Sequence, residues 1–77
     1  MDAETIRNLI ETGLPGARAE VLGEDGVHFE ARVVCEAFTG KPLLARHRMV
    51  NATVKAQLDS GQLHALALTT LTPGEAG

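Results

Sequence analysis

Residues 23–36 read Gly-Glu-Asp-Gly-Val-His-Phe-Glu-Ala-Arg-Val-Val-Cys-Glu, and the fold is decided by how this stretch is read. Its first four residues contain Asp25-Gly26, a pair that favours a tight hairpin turn. From there Val27, Phe29, Ala31, Val33 and Cys35 alternate with His28, Glu30, Arg32, Val34 and Glu36. Successive side chains of an extended chain point to opposite faces, so the first set is expected to face a core. The turn ahead of this strand predicts an antiparallel partner in Ala17–Leu22.

Upstream, Ile6, Leu9, Ile10 and Leu14 recur at spacings of three to five, which fits one face of a helix. Asp2 is placed to cap it, and Gly13 with Pro15 closes it near residue 12. Downstream, Gly40-Lys41-Pro42 breaks the strand pattern, and Leu43 to Met49 reads as a short helix. Asn51 is expected to cap a second helix carrying Val54 and Leu58, which Ser60-Gly61 ends. Leu63 to Leu71 reads as the last strand. Residues 73–77, Pro-Gly-Glu-Ala-Gly, are expected to be a frayed tail behind a single domain over 1–72.

The order is therefore α-β-β-α-α-β, an α+β domain with a three-stranded mixed sheet and its helices on one face. Two helices between the second and third strands give a crossover long enough for parallel pairing. If the third strand lies beside the second, Asp25, His28 and His64 are gathered at one end of the sheet.

Seventy-seven residues make one small domain, too short for a deep pocket walled by two domains. A single cysteine excludes an internal disulfide. No apolar run approaches the roughly 18–20 residues of a membrane span, and the N-terminus lacks a signal-peptide layout. A soluble cytoplasmic protein, without a membrane partner, is expected. The net charge of −3 is unevenly spread. Residues 1–36 carry three arginines against eight acids, and residues 37–77 carry four basic side chains against two acids. The second half can contact phosphate without being built only for that.

Few residues suggest chemistry. His64 stands before Ala-Leu-Ala-Leu and is either a strand-end histidine, bonded to a carbonyl or simply exposed, or a metal ligand at an open sheet end. His28 is either paired across the strands, exposed to solvent, or a ligand. Asp25 suits the turn, by accepting backbone N–H bonds, and is a hard donor for a soft iron–sulfur centre. Cys35 alternates into the core as a small apolar filler. Lys41, Arg46, His47, Arg48 and Lys55 form a basic patch on the helical pair. Its cations either contact phosphate or a partner's carboxylates, or Arg46 and Arg48 brace the helices through acids of the first half. Only two aromatics are present, so base stacking is unsupported. There is no complete phosphate-binding loop, and nothing is arranged around Ser60, the only serine. No catalytic residue is indicated, and no enzyme is expected.

Several stretches together resemble the BolA family: Val33-Val34-Cys35-Glu36-Ala37-Phe38-x-Gly40-Lys41-x-Leu43, Arg46-His47-Arg48-Met49-Val50-Asn51, His64-Ala65-Leu66-Ala67-Leu68 and Thr70-Leu71-Thr72-Pro73. They cover nearly the whole chain, in order. The resemblance implies an α-β-β-α-α-β fold similar to the type II K-homology domain. It also implies a non-enzymatic adaptor that pairs with a monothiol glutaredoxin and shares a [2Fe–2S] cluster with it and with glutathione. The cluster is expected only in that complex, with none in the isolated monomer. The family's histidine at the start of the last strand matches His64. A second ligand usually comes from the loop between the first two strands. That loop holds no cysteine here, which leaves His28, favoured on softness, or Asp25. The competing implication is a stress-responsive transcriptional regulator binding DNA through Lys41, Arg46, Arg48 and Lys55. No Gly-x-x-Gly loop joins the middle helices, where Val50-Asn51-Ala52-Thr53 stands. A homodimer is left open by the sequence, as is DNA.

Overall fold

Asp2 Oδ1 accepts the Thr5 N–H at 2.8 Å, and from this cap helix α1 runs over Ala3–Gly13 in the computed structural model, which describes Met1–Gly77. Ile6 and Ile10, one turn apart, are completely buried. Strand β1 is Arg18–Leu22 and β2 is Phe29–Val34, followed by a single 3-10 turn over Glu36–Phe38. Helices α2 (Leu43–Thr53) and α3 (Lys55–Ser60) lead to strand β3 (Leu66–Leu71) and a last helical turn, α4 (Pro73–Ala76).

The sheet order is β1-β2-β3. β1 pairs antiparallel with β2, from Arg18 opposite Val34 to Leu22 opposite Glu30. β3 pairs parallel with β2, from Phe29 beside Leu66 to Val34 beside Leu71. The expected three-stranded mixed sheet is therefore present. One sheet face supplies Ala19, Phe29, Ala31 and Val33 to a core completed by Ile6, Ile10, Phe38, Val50, Val54 and Leu63. Cys35 joins that core at 2% exposure, so the only thiol is shut away from water. On the other face Arg18, Glu20, Glu30, Arg32, Ala67 and Thr69 are exposed. No helix is long and apolar enough to cross a membrane.

Four expectations are corrected. The strand expected from Val27 begins at Phe29, and Val27 is 50% exposed rather than in the core. Asp25 Oδ1 takes the N–H groups of both Val27 and His28, at 2.9 and 2.8 Å, and donors held by a nearby side chain are lost to the strand ladder. The tight turn accordingly becomes a six-residue loop, 23–28. Gly23 lets that loop close onto the sheet, because a Cβ there would lie 2.2 Å from the Phe29 ring.

Likewise, β3 begins at Leu66 rather than Leu63, since β2 offers no strand to pair with before Phe29. Leu63 instead donates its N–H to the Gln57 carbonyl and plugs the core at 1% exposure. Asn51 does not cap a helix; it lies within α2, which continues to Thr53 and breaks at Val54. Val50 and Val54, four residues apart, are both fully buried and hold that segment to the core. Gly13 permits α1 to press on this junction: an added Cβ would lie 2.7 Å from Thr53 Cγ2.

The segment expected to fray is the helical turn α4. Thr72 Oγ1 accepts the Glu75 N–H, and Glu75 Oε1 accepts the Thr72 N–H at 2.8 Å, a reciprocal capping box. An arginine from α2 completes the anchorage.

Candidate functional site

The parallel register puts the starts of β2 and β3 side by side. His28 immediately precedes the first residue of β2, and His64 precedes β3 by two residues. The two histidines thus stand at the same end of the sheet, both exposed, as the alternation and the crossover predict together. They are presented from connecting segments rather than from within strands, because β2 starts two residues, and β3 three residues, later than the sequence pattern suggests.

Asp25 belongs to the same end. Besides its two backbone bonds, its second oxygen lies 2.7 Å from His28 Nδ1. These contacts hold the Asp25 carboxyl well below the usual carboxylate range, the His28 ring contributing most and the backbone N–H groups of His28 and Val27 after it. Both oxygens are thereby engaged inside the loop, whereas the His28 side chain is 88% exposed. Leu22, Gly23, Glu24, Asp25, His28 and Glu30 line a shallow groove of about 410 Å³. Its charged lining is acidic, which favours a cation over a phosphate.

Two exposed imidazoles are donors of the kind that transition-metal centres take. Imidazoles replace thiolates on one iron in known clusters, and a carboxylate hydrogen-bonded to the far ring nitrogen commonly orients a ligating imidazole. His28 and His64 would be the donors from this chain. Within the chain, no three His, Cys, Asp or Glu side chains come together in a group able to hold a metal ion.

The basic residues of the helices do not form one free patch. Arg46 is only 12% exposed at its side chain. Its Nε donates to the Lys41 carbonyl at 2.8 Å and its Nη1 to the Thr70 carbonyl at 3.3 Å. Nη1 and Nη2 reach the two Glu75 oxygens at 2.6 and 3.2 Å, and the guanidinium lies 6.0 Å from the Phe38 ring centroid. The arginine holds the Glu75 carboxyl down to about 2, assisted by the Thr72 N–H. Arg46 therefore ties together α2, the end of β3, the chain before α2 and α4. It does brace the structure, but through an acid of the C-terminal turn rather than of the first half.

Lys55 is paired with Asp59 at 2.5 Å on the surface. His47 is half-buried, with its Nε2 enclosed and without a hydrogen-bond partner. Lys41 and Arg48 remain exposed and outside any ion pair. The anchoring role of Glu75 was not anticipated from the sequence, although Thr72-x-x-Glu75 has the capping-box spacing that signals it.

Comparison with known proteins adds three kinds of likeness. The family model described as BolA-like protein matches residues 13–75. Human BolA-like protein 2 is 37% identical over 79 residues, covering 97% of this chain and 90% of that protein. The chloroplastic and mitochondrial SufE-like protein 1 of Arabidopsis thaliana is 46% identical over 54 residues, covering 69% of this chain. The aligned part is 14% of the plant protein's length. Among solved structures, a BolA protein homologue from Coxiella burnetii superposes with a TM-score of 0.89 at 42% identity, covering 99% of this chain and 96% of that one. The BolA domain of SufE1 from Arabidopsis thaliana gives 0.80 at 38% identity, covering 94% and 92%.

Proposed function

This chain belongs to the BolA-like protein family, and from that premise we propose that it is a non-enzymatic cytoplasmic adaptor in iron–sulfur trafficking or iron and stress sensing, which pairs with a monothiol glutaredoxin and shares a [2Fe–2S] cluster with it. The observation that carries this reading is the placement of His28 and His64, both exposed, at one end of the sheet beside an acidic groove.

In this reading the core face and α1 hold the sheet rigid, and the sheet holds the two histidine-bearing segments next to each other. His64 and His28 each offer a ring nitrogen to the partner's side, and Asp25 keeps its loop in one shape. The glutaredoxin cysteine and the glutathione thiol supply the remaining donors. The cluster, when bound, supplies an electron-accepting and transferable centre whose potential is raised by histidine relative to all-cysteine ligation. An exposed, histidine-held site suits handing on or sensing better than storing electrons.

DNA binding through the helical patch loses its main contacts, because Arg46 is committed within the fold and Lys55 is paired with Asp59. Two cations, Lys41 and Arg48, remain for phosphate on that face. Binding through two phosphates alone would give a shallow salt dependence, with a logarithmic slope of roughly −2.

The test is anaerobic reconstitution of the protein with a monothiol glutaredoxin, glutathione, iron and sulfide, followed by visible absorption and circular dichroism. A heterocomplex spectrum distinct from that of glutaredoxin alone, and lost in His64→Ala, is expected. The proposal is abandoned if the glutaredoxin spectrum is unchanged and no complex forms.

A further inference from the structure

His28 and His64 share one end of the sheet, but they are prepared differently. His64 pairs with no carboxylate, whereas His28 Nδ1 lies 2.7 Å from Asp25 Oδ2. The same carboxylate accepts the backbone N–H of His28, at 2.8 Å, and that of Val27, at 2.9 Å. Asp25 therefore grips both the backbone and the ring of one residue. Turning the ring away breaks one bond, and shifting the loop to follow it breaks the other two.

Chemistry then determines where the proton is. A carboxylate with a reference pKa near 3.9 is ionised at neutral pH and can only accept. The hydrogen in the 2.7 Å contact must sit on Nδ1, and a neutral imidazole carries just one. The lone pair is left on Nε2, the ring nitrogen on the far side from Asp25. Without the carboxylate, an exposed imidazole would exchange between its two tautomers, and the nitrogen offered to a ligand would be undefined.

We infer that Asp25 is a positioning residue that holds His28 as the Nδ1–H tautomer and so presents Nε2, rather than Nδ1 or its own oxygens, to an incoming metal centre. The inference rests on the adaptor reading for what the metal centre is, but the tautomer is a property of the chain alone. It also settles the division of labour in the loop. Asp25 and His28 are not alternative ligands; one is the ligand and the other aims it, the arrangement in which a carboxylate bonded to the far ring nitrogen fixes ring orientation and raises donor strength.

The experiment uses the ¹⁵N-labelled full chain, with long-range ¹H–¹⁵N correlation spectra of the imidazole rings at pH about 8, where an ordinary histidine is neutral. In the wild type, His28 is expected to show a pyrrole-type Nδ1 and a pyridine-type Nε2, while His64 shows an exchange-averaged pair. Asp25→Asn is the decisive variant. Its amide oxygen still accepts the two backbone N–H groups, but its NH₂ now donates to the ring, so Nδ1 becomes the acceptor and the proton moves to Nε2. Backbone amide spectra confirm that the variant is folded. The inference is overturned if wild-type His28 resembles His64, or if the Nδ1–H form persists in Asp25→Asn.

Reconstitution with glutaredoxin, glutathione, iron and sulfide supplies the second arm. Asp25→Asn is expected to weaken cluster loading of the heterocomplex by at least about tenfold, the usual cost of losing an outer-shell partner. A reversed tautomer with unchanged loading would overturn the aiming role. A heterocomplex indifferent to both His28→Ala and His64→Ala would instead overturn the adaptor reading, and the ring spectra would still decide the tautomer.

Discussion

The two ends of the sheet each carry a carboxylate held to a basic side chain, and the pairs do opposite things. At the end of β3, Glu75 binds Arg46, and the arginine spends its donors on two carboxylate oxygens and two backbone carbonyls while nearly buried. At the start of β2, Asp25 binds His28, and the imidazole stays exposed with one nitrogen unused. Groups whose donors are all satisfied within the fold have little left for a partner. Groups that are oriented but unsatisfied are ready to bind. The arginine end is therefore the lock of this structure and, in the adaptor reading proposed above, the histidine end is its working edge.

The comparison breaks most visibly at Arg46. Arg46→Ala strands the carbonyls of Lys41 and Thr70 and frees α4, and it should cost about 2–3 kcal/mol in chemical denaturation, because bonds to a charged donor are lost from a nearly buried site. Arg46→Lys should recover only part of this, since an ammonium cannot reproduce the two-pronged contact with Glu75. If Arg46→Ala left stability untouched, the lock would not exist.

Gly23 probes the other end. A methyl group there meets the Phe29 ring, so Gly23→Ala should cost about 1–3 kcal/mol and broaden the amide signals of the loop. Unaltered stability and spectra would mean that the loop's position over β2 is not what orients the histidine.

Acid distinguishes the ends more gently. Glu75 has its carboxyl lowered from 4.5 to about 2, chiefly by Arg46, so the stabilisation it provides is complete above about 4.5 and is lost as pH falls through about 2. Amide exchange or chemical shifts of residues 73–76 should report α4 loosening across that window. Glu75→Gln should be loose already at neutral pH and show no such transition.

The smallest effect sharpens the contrast. His28→Ala and His64→Ala are exposed substitutions and should change stability by less than about 0.5 kcal/mol in the same denaturation assay, while removing the nitrogens proposed as ligands. A large loss of stability in either would place that histidine with the lock rather than with the working edge.

Much of this was legible in the chain itself. The alternation of Phe29, Ala31, Val33 and Cys35 determined β2 and its buried face, and the three-to-five spacing of Ile6, Leu9 and Ile10 determined α1, because periodicity is imposed by backbone geometry whatever lies nearby. The length of the crossover allowed a parallel third strand, and the fold decided that it pairs with β2, which brings the starts of β2 and β3 together. Boundaries were less legible where a polar side chain competes with the ladder. Asp25 diverts two N–H groups and removes Val27 from the strand, which hydropathy does not register.

What only the tertiary structure decided is which polar residues are already spent. Arg46 and Arg48 stand two apart in the sequence with the same formal charge, yet one is nearly buried against Glu75, 29 residues away, and the other is exposed. Asp25 and His28 look like two independent polar residues of a turn until the fold puts a carboxylate oxygen of one 2.7 Å from the ring of the other. Composition and spacing specify which groups can donate and accept. Whether a group has a partner depends on distances across the fold, and a contact between residues far apart in the chain leaves no local pattern in the sequence.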